Sequence, residues 1–191
     1  LLPMLDEIVK MTELDLKTID AIAVAKGPGS FTGLRIGSAT AKGLGLALDK
    51  PLVGIPTVEA LAYNLYDVNG LICPIMDARR KQVYTGIYRY EDHRLITVKD
   101  QMAVGIEELL SMLSDMGETV TFLGDGVPVF KDIIADKLTV PFSFAPAHLS
   151  RQRAGAVGAL GILYYKEGRT ETAAEHKPDY LRVSQLSLIH I

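Results

Sequence analysis

The chain has 191 residues, 48% of them apolar, and a formal net charge of −3 at neutral pH. That is enough apolar material for one large or two small cores, and so slight an acidic excess advertises neither a nucleic-acid nor a membrane surface. A single cysteine, Cys73, excludes a disulfide framework, and no apolar run reaches the roughly 18 residues of a membrane span; both suit the cytosol.

The opening LLPMLDEIVKM reads as a helix and not as a secretory leader. Leu2, Leu5, Ile8 and Val9 fall on one helical face, while Leu1, Met4 and Met11 widen the apolar surface beyond one side, so more than one neighbour is expected. A short apolar strand follows at Ile22–Ala25. It enters the Gly27-Pro28-Gly29 turn, and Ser30 then caps a long helix from Phe31 to about Leu48. On that helix Gly33, Gly37, Ala41 and Gly45 form one row of small residues and Ala39, Gly43 and Ala47 a second. Each glycine inside a helix costs about 1 kcal/mol against alanine. The ordinary compensation is close approach of another backbone, so one row is expected to meet the sheet and the other a partner.

A strand at Leu52–Ile55 and a helix from about Thr57 to Tyr66 close this first part, which reads α, β, α, β, α. From Leu71 three strands form a meander, at Leu71–Met76, Gln82–Tyr88 and Leu95–Val98; the middle one alternates Val83, Thr85, Ile87 with Tyr84, Gly86, Tyr88. A helix carries Ile106, Leu109, Leu110 and Leu113 at i, i+3, i+4, i+7 spacing. Then come a strand at Val120–Leu123, a Gly-Asp-Gly turn, a helix opened by Pro128 with Ile133 and Ile134 inward, a strand near Val140–Phe144, and a helix from Ser150 to about Lys166. The second part therefore repeats the first with three extra strands at its head. The repetition implies that the chain begins inside a lobe, with roughly 35 to 40 residues upstream, at ~5 to 6 residues per strand plus turns.

Few residues offer chemistry. The GPGSFTG turn places backbone N–H groups at a helix N-terminus, as an anion cradle would. Its spacing matches neither GxxxxGK[ST] nor GxGxxG, and Lys26 precedes the loop where a Walker lysine would follow it, so tight packing is the stronger reading. Asp77, Arg79, Arg80 and Lys81 sit in the first hairpin turn of the meander; Arg79 and Arg80 are candidate anion contacts, against the plainer reading of a solvated basic turn. Gly124, Asp125 and Gly126 suit a nucleotide loop or an ordinary strand-to-helix turn. The four histidines, His93, His148, His176 and His190, include no i, i+4 pair for a metal, and Cys73 reads as a buried thiol.

GPGSFTGLRIG (Gly27–Gly37), MDARRKQVY (Met76–Tyr84) and PDYLR (Pro178–Arg182) resemble the TsaB family, also called YeaZ, accessory subunits of the bacterial tRNA threonylcarbamoyladenosine synthesis complex; the resemblance runs from Leu1 to about Gln185. It implies a two-lobed α/β fold of the actin, sugar-kinase and Hsp70 type, built on ribonuclease H-like repeats. The first lobe, 1–69, would lack its opening strands, the second would span 70–185, and LSLIHI (186–191) would be a non-family tail, a truncation scar.

The resemblance further implies no catalytic residue, no cofactor and no metal. The chain would dimerise with the catalytic relative TsaD through the first two helices of each protein and support threonylcarbamoyl transfer to the adenosine beside the tRNA anticodon. TsaE would join the complex, tRNA would be reached only through it, and a homodimer could form without TsaD. The partner face would comprise Leu1, Met4, Leu5, Ile8, Gly33, Arg35, Gly37 and Ala41. The His-x-x-x-His pair of TsaD falls here on Thr57 and Leu61, which cannot both bind metal. The rival reading is an enzyme of the same superfamily, a metallopeptidase or a small-molecule kinase.

Overall fold

A computed structural model describes residues 1–181. Expectations about Arg182, the end of the second lobe at 185 and the 186–191 tail lie outside the described residues. Packing divides the chain into two units. The first is Leu1–Thr57 with Val157–Asp179, and the second is Val58–Ala156 with Tyr180 onward. The first unit thus ends at Thr57 instead of residue 69 and takes back the end of the last helix and the segment after it.

In the first unit α1 (Leu2–Thr12) leads through a short 3-10 turn to β1 (Ile22–Gly27), α2 (Phe31–Leu48) and β2 (Leu52–Pro56). β1 and β2 pair in parallel, Ile22 opposite Leu52 and Ala25 opposite Ile55. Ser30 caps α2 as its position predicts, its hydroxyl accepting the Gly33 N–H at 3.5 Å, and Asp49 ends the helix in a left-handed conformation. One apolar cluster of the unit joins Ala41, Leu52 and Ala173, flanked by Ile22 and Val24, and Val53, Ile55, Leu160 and Tyr164 are buried in the same unit.

The second unit holds α3 (Thr57–Ala62, its first residue in the other unit), β3 (Leu71–Asp77), β4 (Gln82–Glu91), β5 (Arg94–Gly105), α4 (Ile106–Met116), β6 (Val120–Leu123), α5 (Val127–Lys137) and β7 (Phe142–Phe144). The sheet order is β5-β4-β3-β6-β7, antiparallel through the meander and parallel beyond β3. Strand alternation feeds two cores. Leu71, Cys73, Ile75, Val83 and Ile87 face α4 and α5, whereas Ile72 and Tyr88 pack with Val58, Leu61 and Leu65.

Several elements differ in extent from the sequence reading. β5 continues to Gly105 because every stretch of β4 back to Gln82 finds a partner along it, which the polar Lys99-Asp100-Gln101 hides. The helix expected to run to Tyr66 stops at Ala62, and Asn64 turns its side-chain amide onto the carbonyls of Leu149 (2.9 Å) and Arg151 (2.8 Å). The last helix, α6 (Ala154–Lys166), begins after a short 3-10 turn at Ala147–Leu149 and not at Ser150.

A candidate protein-protein face

α1 is amphipathic in sequence, yet none of its residues is buried. Leu1, Leu2, Met4, Ile8 and Met11 are all exposed, Met4 at 66%, and only Leu5 and Val9 are half covered. α2 adds Phe31, Ile36 and Leu46, the last at 75%. The Arg35 guanidinium lies over the Phe31 ring, 4.0 Å from its centroid, which covers one face of the aromatic and fixes both side chains at the head of the helix.

The small residues of α2 sort differently from the two-row expectation. The row at 33, 37, 41 and 45 splits along its length. Ala41 is 5% exposed within the first-unit core, and a Cβ on Gly45 would lie 3.0 Å from the Lys50 carbonyl and 3.7 Å from Ala173 Cβ. Ala41 therefore packs inward and does not belong to an open face. A Cβ on Gly33 would meet only its own cap, Ser30, and one on Gly37 would meet nothing within 4 Å. Ala39, Gly43 and Ala47 are exposed, and Gly43 too has open space where a side chain would stand. Among the described residues only Gly45 compensates its helix cost by close packing; Gly37 and Gly43 do not.

The basic turn is tightly made. Arg79, Arg80 and Lys81 stand at φ of 66°, 53° and 58°, three consecutive left-handed residues without a glycine. Asp77 holds them: its Oδ1 accepts the Arg79 N–H at 2.8 Å, and its Oδ2 lies 3.2 Å from the Arg79 guanidinium. The Asp77 N–H in turn donates to Asp125 Oδ1 at 3.3 Å. The Gly-Asp-Gly loop thus braces the turn, and Arg79 is matched by a carboxylate of its own hairpin.

Residues considered for catalysis lie elsewhere. Leu61 is fully buried among apolar side chains, and Thr57 is buried as well. Cys73 is sealed in the second-unit core with Sγ 3.4 Å from Thr85 Oγ1, and burial pushes its thiol up to about 12. It is protonated at neutral pH and unfit as a nucleophile. Among the described residues no three His, Cys, Asp or Glu side chains converge as metal ligands would.

Sequence reasoning missed a polar cluster on β1, β2 and the segment after α6. His176 is buried with Nδ1 2.7 Å from Glu171 Oε1, and Lys26 Nζ lies 3.6 Å from Asp179 Oδ2. The available signal was Gly54 inside a short apolar strand, where a glycine marks close approach of another group. A Cβ there would lie 2.6 Å from Glu171 Oε1. Two of the quoted motifs also meet: the Asp179 N–H of PDYLR donates to the Lys26 carbonyl at 2.6 Å, and the Asp179 carbonyl lies where a Gly27 side chain would begin. The Asp179 carbonyl therefore packs directly on the first glycine of the turn.

The fold defines the class: a two-unit α/β protein of the actin, sugar-kinase and Hsp70 type. The family model described as TsaD, tRNA N6-adenosine threonylcarbamoyltransferase, matches residues 1–187. Among individual proteins, the tRNA threonylcarbamoyladenosine biosynthesis protein TsaB of Bacillus subtilis is 35% identical over 96% of this chain and 79% of its own length. The TsaB of Escherichia coli is 29% identical over 95% of this chain and 79% of its own. The crystal structure of YeaZ from Pseudomonas aeruginosa superposes with a TM-score of 0.75 at 22% identity, covering 94% of this chain and 82% of that one, a likeness of fold. The chain belongs to the TsaB family.

Proposed function

We propose that this protein is a non-catalytic subunit that pairs with TsaD and supports threonylcarbamoyl transfer to the adenosine beside the tRNA anticodon. Its place in tRNA modification follows from the family. The pairing is inferred from one observation: α1 is an eleven-residue helix with five exposed large apolar side chains counting its N-cap, and none of its residues is buried among the described residues. Contiguous apolar surface of that kind marks a protein contact. The bare flank of α2 at Gly33, Gly37 and Gly43 supports the same reading, because a partner backbone can approach where no side chain stands. The partner face is Leu1, Met4, Leu5, Ile8, Gly33, Arg35 and Gly37, with Ala41 withdrawn and Phe31 and Ile36 added. TsaE joins the assembly, tRNA is met only through it, and the protein works in the cytoplasm.

The non-catalytic role is supported by the buried leucine at position 61 and by the protonated, enclosed thiol of Cys73. In the test, purified TsaD is titrated with full-length protein and with its Met4→Glu and Ile8→Glu forms. Each charge at a buried apolar contact is expected to weaken binding at least tenfold, about 1.4 kcal/mol, while the melting temperature stays put. Unchanged affinity in both variants would remove α1 from the interface. Self-association of the wild type without TsaD, abolished by the same two variants, is the expected signature of a homodimer on this face.

A further inference from the structure

The segment from Glu171 to Asp179 crosses the first unit from the start of β2 to the end of β1. Both ends are tied by backbone hydrogen bonds. The Leu52 N–H donates to the Glu171 carbonyl at 2.8 Å and the Glu171 N–H returns to Leu52 at 2.9 Å; at the other end the Asp179 N–H donates to Lys26 at 2.6 Å. Between them Thr172 and Glu175 close a turn on each other, the Thr172 N–H and hydroxyl both donating to Glu175 Oε2 at 2.9 and 2.8 Å.

The crossing packs on α2 near its C-terminal end and on the turn that leads into its N-terminal end. Ala173 packs with Ala41 and lies against Gly45 in the helix's last turns. Before the helix begins, Gly27 is sandwiched between the Asp179 backbone and the Leu34 side chain, whose Cδ1 would be 3.4 Å from a Gly27 Cβ. A segment that packs on the last turns of a helix and on the glycine through which the chain enters it limits how that helix can tilt.

Its centre is His176, enclosed by protein, with Nδ1 on Glu171 at 2.7 Å and Nε2 buried without a hydrogen-bond partner among the described residues. An orphaned buried nitrogen is unfavourable, so packing alone would select an apolar side chain here. What the imidazole supplies and an apolar group cannot is the bond to Glu171. That carboxylate rests on Gly54, where a Cβ would lie 2.6 Å from Glu171 Oε1 and 2.7 Å from Lys26 Cδ, and Lys26 extends to Asp179. The two anchored ends of the crossing are thereby joined through side chains over the glycine of β2.

We propose that residues 171–179 form a strap that fixes α2 on the β1–β2 ladder, with His176 as the positioning residue that locks it through Glu171. Its functional consequence rests on the partner-face reading above, since α2 carries Phe31, Arg35 and Ile36.

The test is amide hydrogen exchange on the full-length protein together with TsaD titration. His176→Leu removes the donor; His176→Asn keeps one near the Nδ1 position. With leucine, exchange at Leu52, Glu171, Asp179 and, decisively, Leu34 is expected to rise tenfold or more against Phe122 of the second unit, and TsaD binding to weaken about tenfold. Asparagine should restore most of both. Faster exchange confined to 171–179 with Leu34 unchanged overturns the proposal, as does asparagine behaving like leucine. If His176→Leu does not fold, Gly54→Ala attacks the same contact from β2, and normal Leu34 exchange in that variant also overturns it. Ile36→Glu separates the two readings: it leaves the strap intact, so normal TsaD binding there sinks the partner face while Leu34 exchange still decides the strap.

Discussion

Two helices of similar length, α1 in the first unit and α4 in the second, meet opposite fates. Both span eleven residues and both are amphipathic. α4 buries Ile106, Leu109, Leu110 and Leu113, all at 2% exposure or less, against a five-stranded sheet. α1 buries nothing, and its unit offers only two paired strands among the described residues. The same pattern of apolar residues is therefore covered in one unit and, among the described residues, left exposed in the other.

The contrast breaks most visibly in the core. Leu110→Ala is expected to cost about 2 to 5 kcal/mol, the range for a buried leucine that leaves a cavity, read as a drop in melting temperature or denaturant midpoint. Leu2→Ala on α1 should change stability by no more than about 0.5 kcal/mol, as exposed substitutions do. A loss at Leu2 comparable to that at Leu110 would mean that α1 is covered by its own chain, and the contrast would collapse.

Much of this was legible beforehand because strand and helix periods differ. The four buried positions of α4, the Ser30 cap and the bounds of α2 all follow from spacing and capping. Less legible was anything that depends on which side of an element finds a neighbour. The glycines of α2 look equivalent in sequence, but among the described residues only Gly45 meets backbone, and Ala41 turned inward because Leu52 and Ala173 converge on it. The strap was invisible for a similar reason: Glu171 and His176 lie in a polar stretch with no period, and their partners Leu52, Gly54 and Lys26 are more than a hundred residues away.

A smaller effect sharpens the second-unit side. Cys73 titrates near 12 in the folded protein because it is desolvated, against about 8.5 in an unfolded chain. Between these values the native state keeps a proton that the unfolded state has released. Its stabilising contribution is therefore complete below about pH 8.5 and is lost as pH rises toward 12, at up to about 1.4 kcal/mol per pH unit. Cys73→Ala should flatten this part of the stability curve relative to wild type, and the native thiol should resist alkylation at pH 8. Rapid native alkylation there would show that the second core opens more readily than its packing implies.

The smallest expected effect is also the most discriminating, because one substitution made twice on α2 should change sign. Gly43→Ala places a methyl in open space and replaces the poorer helix former, so stability should rise by about 0.5 to 1 kcal/mol. Gly45→Ala gains the same propensity but sets its Cβ 3.0 Å from the Lys50 carbonyl, where the Lys50 N–H already bonds to the Gly45 carbonyl at 2.9 Å and Pro51 begins the return to β2. That backbone cannot yield without disturbing the Ile22 N–H bond to Pro51 at 3.0 Å, so a net loss of about 1 kcal/mol is expected. Chemical denaturation of both variants decides it. Two gains would mean that α2 is loosely seated at its C-terminal end and that Ala173 of the strap does not hold it; two losses would mean that Gly43 is covered by the chain itself, leaving α2 no bare flank for a partner.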